Sequence, residues 1–221
     1  ITLTTSDRVC TPLPTISFVG VGVEATGARL VGGDGHSCTL SLGRVFCWGN
    51  NLEGQLGDGG EASSPLPRPV APLTSAVGLA AGLLHTCALD QGGTVSCWGA
   101  NGAGQTGTLA AEPRLRAPRP VFGLRDARAL AAGAHHTCAV DGTQGVVCWG
   151  LNDAGQLGDP RGPAVAHAPR LVAGVSGARN VAAGARHTCA PLTSGKVLCW
   201  GDNSRGQLGA ATPTESSAPV E

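Results

Sequence analysis

One unit of roughly fifty residues, repeated four times, constrains this chain more than any other feature. Its first half reads Gly-x-x-His-[Ser/Thr]-Cys, at Gly33–Cys38, Gly82–Cys87, Gly133–Cys138 and Gly184–Cys189. Its second half reads Cys-Trp-Gly-x-Asn-x-x-Gly-Gln-x-Gly, at Cys47–Gly57, Cys97–Gly107, Cys148–Gly158 and Cys199–Gly209. Trp48, Trp98, Trp149 and Trp200 stand 50, 51 and 51 residues apart. A unit this short cannot bury an apolar face alone, so neighbouring units must stack. A period near fifty with several short strands per unit is the spacing of propeller blades.

Within each unit the local pattern is that of strands. Short β-favouring runs alternate with Gly-containing turns, as in Ala88-Leu89, Asp90-Gln91-Gly92-Gly93, Thr94-Val95-Ser96. Asn-x-x-Gly-Gln-x-Gly reads as a turn, with Asn and Gly where left-handed backbone is tolerated. A Pro-rich connector follows, then a final apolar run such as Pro120-Val121-Phe122-Gly123-Leu124. No segment shows an apolar stripe at helical spacing.

The cysteines fit the hairpin. With Cys87 opposite Cys97, Ala88 faces Ser96, Leu89 faces Val95, and Asp90 faces Thr94 around a three-residue loop. The same arithmetic pairs Cys138 with Cys148 and Cys189 with Cys199. Cys38 with Cys47 is one residue shorter and leaves the two-residue loop Leu42-Gly43. Opposed strand residues lie within disulfide reach. One bridge per unit, each contributing about 2–3 kcal/mol in the chain-entropy model, suits a core with only three Phe, no Tyr and no Met.

Nine cysteines in a cytosolic chain suggest metal sites, but this regular pairing indicates disulfides and an oxidising compartment. Lys+Arg and Asp+Glu are both 15, so no broad charge attracts nucleic acid or an acidic membrane. No run of eighteen apolar residues exists to insert into a bilayer. The expectation is a mature form or excised piece without its export signal, located in the secreted, extracellular or cell-surface space.

Gly82, His85, Ala88, Leu89, Gly93, Val95, Trp98, Gly99, Asn101, Gly104, Gln105 and Gly107 together resemble the repeat of the regulator-of-chromosome-condensation (RCC) propeller family. The resemblance covers about residues 27–209. It implies an all-β propeller, or propeller segment, of four-stranded blades around a central channel. The family commonly has seven blades, and this chain supplies four repeats, at 30–78, 79–129, 130–180 and 181–221. Four repeats can close as a small ring, form an arc of a larger one, or be completed by another chain. The namesake member is a nuclear exchange factor for a small GTPase that binds chromatin. Paired cysteines in every unit and zero net charge point this chain elsewhere, to a secreted, disulfide-containing bacterial-type variant.

Other motifs have bland readings. His85 shares a strand face with Cys87, opposite Cys97, which is a zinc donor set. The favoured reading of His36, His85, His135 or His136, and His187 is buried residues bonded to the backbone of the next turn. Gly102–Gly107 matches a dinucleotide fingerprint only as one version of the repeat's turn. The tryptophans are read as packing between blades rather than stacking on sugars. Residues 1–29 are read as an N-terminal strand segment, either a closing strand or the end of a preceding blade. Cys10 is left over, unpaired or intermolecular.

No nucleophile–base motif, metal motif or cofactor signature stands out. The repeats differ mainly in the connectors Asp58–Pro69, Thr108–Pro120, Asp159–Pro169 and Ala210–Pro219. The second holds Arg114, Arg116 and Arg119, candidates for gripping an acidic partner. The expected function is a non-catalytic module that binds a protein partner or copies of itself. The alternatives are an enzyme inhibitor of propeller type, a structural subunit of a surface fibre, and an enzyme on a propeller scaffold.

Overall fold

The computed structural model describes residues 30–109, 111–211 and 214–221. Residues 1–29, and with them Cys10, lie outside the described residues. The rest forms sixteen strands in four antiparallel four-stranded sheets, each sheet a blade in simple meander order. Blade 1 is β1 (Leu30–Gly32), β2 (His36–Ser41), β3 (Arg44–Gly49) and β4 (Ser64–Val70). Blade 2 is β5 (Ala76–Ala81), β6 (His85–Asp90), β7 (Val95–Ala100) and β8 (Arg114–Pro120). Blade 3 is β9 (Ala129–Ala132), β10 (His136–Val140), β11 (Val146–Leu151) and β12 (Val165–Leu171). Blade 4 is β13 (Ala182–Ala183), β14 (His187–Pro191), β15 (Val197–Asp202) and β16 (Glu215–Val220). No helix occurs among the described residues, so none is long and apolar enough to cross a membrane.

The central hairpins have the register expected from the cysteine arithmetic. Cys87 pairs Cys97, Ala88 pairs Ser96 and Leu89 pairs Val95, while the Asp90 amide donates to the Thr94 carbonyl at 2.9 Å. Counting back from that bonded pair, alternation makes Cys87–Cys97 a non-hydrogen-bonded pair, the class in which Cα atoms come closest. The two-residue turn at Leu42-Gly43 gives Cys38–Cys47 the same parity from Ser41–Arg44.

The Pro-rich connectors are a correction to the sequence reading. Their C-terminal halves are the outermost strands β4, β8, β12 and β16. An outermost strand pairs along one side only, so prolines such as Pro118 cost no ladder bond when the missing N–H would have faced outward. Val121 and Leu124 of the expected final strand are buried but lie in the irregular link between blades. The next innermost strand begins at Ala76, so β5 crosses the repeat boundary drawn at 78/79.

There is no single core. Three apolar layers lie between consecutive blades, each built from the hairpin of one blade and the tryptophan side of the next. The first joins Leu40, Val45, Leu56 and Val70 to Leu79, Trp98 and Leu115. The second joins Leu89, Val95 and Val121 to Ala127, Ala139 and Trp149. The third joins Val140, Val146, Leu157 and Val172 to Val181, Ala190 and Trp200. Each large side chain so buried contributes about 1.5–3 kcal/mol. The innermost strands pack in series, β1 with β5, β5 with β9 and β9 with β13. No comparable packing joins β13 back to β1 among the described residues, so the four blades form an open arc.

Candidate protein-binding surfaces

At the three junctions between described blades, the side chains that the repeats share turn inward and join one blade to the next. His85 is fully buried, and its Nε2 lies 2.9 Å from Thr137 Oγ1 in the next blade. The Thr137 hydroxyl donates to the Gln105 carbonyl at 2.9 Å, so its oxygen must accept from His85 Nε2–H. That places a proton on His85 Nε2, and burial keeps the ring neutral. The Gln105 carbonyl also accepts the Trp149 indole N–H at 2.9 Å. The same ladder joins His36 to Thr86, Gln55 and Trp98, and His136 to Thr188, Gln156 and Trp200. The histidine partner is thus a threonine one blade away, not the backbone of the next turn. His135 stands outside the ladder, in the loop before β10.

This ladder explains the rest of the repeat. The histidine ring lies on the glycine three residues before it, where a Cβ on Gly82 would sit 2.1 Å from His85 Cε1. The last glycine of the turn, Gly107, has φ +65°, and a Cβ there would sit 2.8 Å from Trp149 Nε1. The Asn101 side chain accepts from the Thr106 amide and hydroxyl, and Gln105 Oε1 accepts from the Ala103 amide, so both close the turn. Gly102–Gly107 is therefore a structural clip between blades.

All four predicted bridges form. Cys38–Cys47, Cys87–Cys97, Cys138–Cys148 and Cys189–Cys199 each have Cα atoms 4.1 Å apart. The first three lie in the apolar layers against the following blade. No group of three His, Cys, Asp or Glu able to hold a metal ion occurs among the described residues. Burial, the largest cause, pushes the histidines down to about 4 at His36, against the pull of Asp34, and to about 3 at His85 and His136, where neighbouring histidines add to it.

The exposed loops fall on two opposite faces of the arc. One face carries the connectors after the shared turns and the loops between the first two strands of each blade. These loops are linked in series by Asp34 N–H to Leu83 O, Leu83 N–H to Ala134 O and Ala134 N–H to Ala185 O. Here Arg114, Arg116 and Arg119 sit on or near the outermost strand of blade 2 and meet carboxylates from two blades. Arg114 lies 3.7 Å from Glu53 and 3.4 Å from Glu61, Arg116 lies 2.7 Å from Glu61, and Arg119 lies 3.2 Å from Glu112. The hydrogen bond from Arg116 holds the Glu61 carboxyl below its usual range. The patch is a charge-alternating surface of three cations and three anions, with the exposed Leu52 at its rim.

The opposite face carries the central hairpin loops, of which the first three are bonded to the next blade. Gly43 O accepts from Ala76 N–H, Gly93 O from Ala127 N–H and Gln144 O from Ala178 N–H. Between the loops of blades 2 and 3 lies a shallow cavity of about 540 Å³ lined by Gln91, Arg125, Asp126, Arg128, Asp141 and Thr143, among others. Sequence reasoning did not single these out. They come from three separate segments, and only the stacking of blades brings them together.

Comparison with known proteins agrees with this architecture. Models of the regulator of chromosome condensation (RCC1) repeat match residues 43–105 and 127–207 between them. Human probable E3 ubiquitin-protein ligase HERC6 is 32% identical over 198 residues, 85% of this chain and 19% of that protein. Its match therefore concerns the repeats alone. Prp20p of Saccharomyces cerevisiae, whose binding to Gsp1p and histones has been characterised, superposes with a TM-score of 0.77 at 25% identity, over 94% of this chain and 51% of its own. The ectodomain of the receptor kinase CR4 from Physcomitrella patens superposes with a TM-score of 0.52 at 25% identity, over 80% of this chain and 42% of its own. The chain thus spans about half or less of each of these relatives. With the shared turn, the His–Thr–Trp ladder and four meander blades in place, it belongs to the RCC1 repeat family of β-propellers.

Proposed function

We propose that this chain is a secreted or cell-surface, non-catalytic module that binds a protein partner through the loops its blades display. One observation carries the reading. At the three described junctions the side chains common to the repeats are spent on inter-blade bonds, so individuality is left to the connectors and hairpin loops. A rigid scaffold with variable exposed loops is how propellers recognise partners. The RCC1-type relatives support protein binding, as Prp20p does for Gsp1p and histones. The extracellular placement rests on a disulfide in every blade. The likeness to a receptor-kinase ectodomain supports it.

The connector end is the preferred docking surface. Its alternating Arg and Glu suit a partner of matched alternating charge rather than a uniformly acidic one. Affinity capture from the extracellular fraction of the source, with wild type beside an Arg114→Ala, Arg116→Ala, Arg119→Ala variant, tests this. The expected result is one protein held by wild type and retained at least about tenfold less by the variant. Equal retention, or localisation of the chain with fully reduced cysteines in the cytosol, contradicts the reading.

A further inference from the structure

The hairpin-loop face holds two arginines that no carboxylate of the described residues neutralises. At the connector end, Arg114, Arg116 and Arg119 each pair with a glutamate. On the opposite face, exposed Arg125 makes no hydrogen bond or ion pair among the described residues. Arg179 is exposed too, and its guanidinium touches only the Thr193 carbonyl, at 3.4 Å, among them. Arg128 and Arg179 hold one position on successive blades. The Arg128 amide donates to Val140 O at 2.8 Å and the Arg179 amide to Pro191 O at 2.9 Å, each carbonyl two residues past the first cysteine of its blade.

These arginines line one continuous groove. The cavity of about 540 Å³, which holds Arg125 and Arg128, adjoins a second of about 450 Å³, which holds Arg128 and Arg179. The two share Gln91, Gly93, Ala127 and Arg128. Their walls come from blades 2 and 3 and the segment that opens blade 4, so junctions within the arc set the groove's shape. Three carboxylates also line it. Asp90 Oδ1 accepts from the Thr94 amide at 2.8 Å. Asp141 Oδ1 accepts from the Thr143 amide and hydroxyl and the Gly145 amide at 2.8, 2.7 and 3.0 Å, so both carboxylates are committed to their own loops. Asp126, at a left-handed φ of +54°, has no such bond among the described residues. Gln91 and Gln144 are exposed, and neither side-chain amide is bonded among the described residues.

We propose that this groove binds an extended acidic peptide segment of a partner protein. The segment's carboxylates meet Arg125 and Arg179, and its backbone meets the amides of Gln91 and Gln144. A guanidinium matches a carboxylate with two parallel N–H donors. A side-chain amide offers both the donor and the acceptor that a peptide bond needs, whereas a phosphate or sulfate group has no use for the acceptor. Asp126 opposes the ligand's charge beside Arg125, so removing its charge strengthens binding. The groove lies on a different face from the connector end and uses different arginines, so either reading can fail without the other.

Fluorescence anisotropy of a dye-tagged hexaglutamate peptide, titrated at low salt with the full chain and its disulfides intact, tests this. Hexaglutamine and hexalysine are the comparison peptides. The expected result is saturable binding of hexaglutamate alone, weakened by added salt. Arg125→Ala and Arg179→Ala should each raise its Kd about fivefold. Asp126→Asn, which keeps a side chain tolerant of left-handed backbone, should lower it about threefold. Arg125→Glu combined with Arg179→Glu should lose hexaglutamate and take up hexalysine, a swap that a misfolded chain would not make. Absence of saturable hexaglutamate binding to wild type overturns the inference. So does binding that survives the arginine variants, or a heparin hexasaccharide that binds the same arginines more tightly than hexaglutamate does.

Discussion

Replacing Thr137 by valine removes one hydroxyl from the centre of the ladder and leaves the shape of the side chain almost unchanged. The wild-type oxygen accepts from His85 Nε2–H and donates to Gln105 O, both at 2.9 Å, at a site with no solvent exposure. The Gln105 carbonyl keeps its bond from Trp149. The His85 N–H keeps nothing and is buried. Losing two hydrogen bonds at about 1 kcal/mol each, with a buried donor left unpaired at about 1–3 kcal/mol, predicts a loss of about 3–5 kcal/mol. Thr137→Ser keeps both bonds and loses only a methyl, about 1 kcal/mol. Urea unfolding followed by tryptophan fluorescence, with disulfides intact, measures both. The midpoint should fall far more for valine than for serine, at an unchanged denaturant slope. A valine variant no less stable than the serine variant would refute the ladder as a source of stability.

Three further outcomes follow from the same geometry. Gly107→Ala places a methyl on the Trp149 indole as well as straining a positive φ, whereas Gly209→Ala incurs strain alone within the single chain. The first should therefore cost about 2 kcal/mol more in thermal or urea unfolding. Removing one bridge with Cys87→Ala and Cys97→Ala should cost at least about 2–3 kcal/mol in the same assay. The pH dependence follows from the buried histidines. They stay neutral in the fold down to about 3 or 4 but titrate near 6.5 once unfolded. The unfolded state therefore binds protons first as pH falls. Stability is full above about pH 6.5 and declines toward pH 3–4, by at most about 1.4 kcal/mol per pH unit for each histidine. Calorimetry between pH 8 and pH 4 should show that fall, and His85→Phe should flatten it.

Much of the fold is legible in the sequence because the repeat carries it. The spacing of Cys87 and Cys97, with the turn between them, fixes hairpin parity, and parity fixes both the bridge and the face on which Trp98 stands. The histidine's partner is not legible in the same way. Thr137 lies 52 residues from His85, and only the stacking of blades brings it there. The outermost strands were hidden because proline marks a connector by propensity, and only a one-sided edge makes it acceptable in β8. The surface is the least legible part. Arg114, Arg116 and Arg119 stand out as positive charges along the chain, while Glu61, which meets two of them, comes from a different blade. The cavity beside Arg125 and Asp141 has no signal in any single segment.

A disulfide closing every blade underlies both the scaffold and its proposed extracellular role, and the mass of the unreduced chain after alkylation in denaturant tests that directly. The expected result is four internal bridges, with no label on Cys38, Cys47, Cys87, Cys97, Cys138, Cys148, Cys189 or Cys199. Label on those eight in protein taken from its natural source would contradict both the stapled scaffold and the extracellular role built on it.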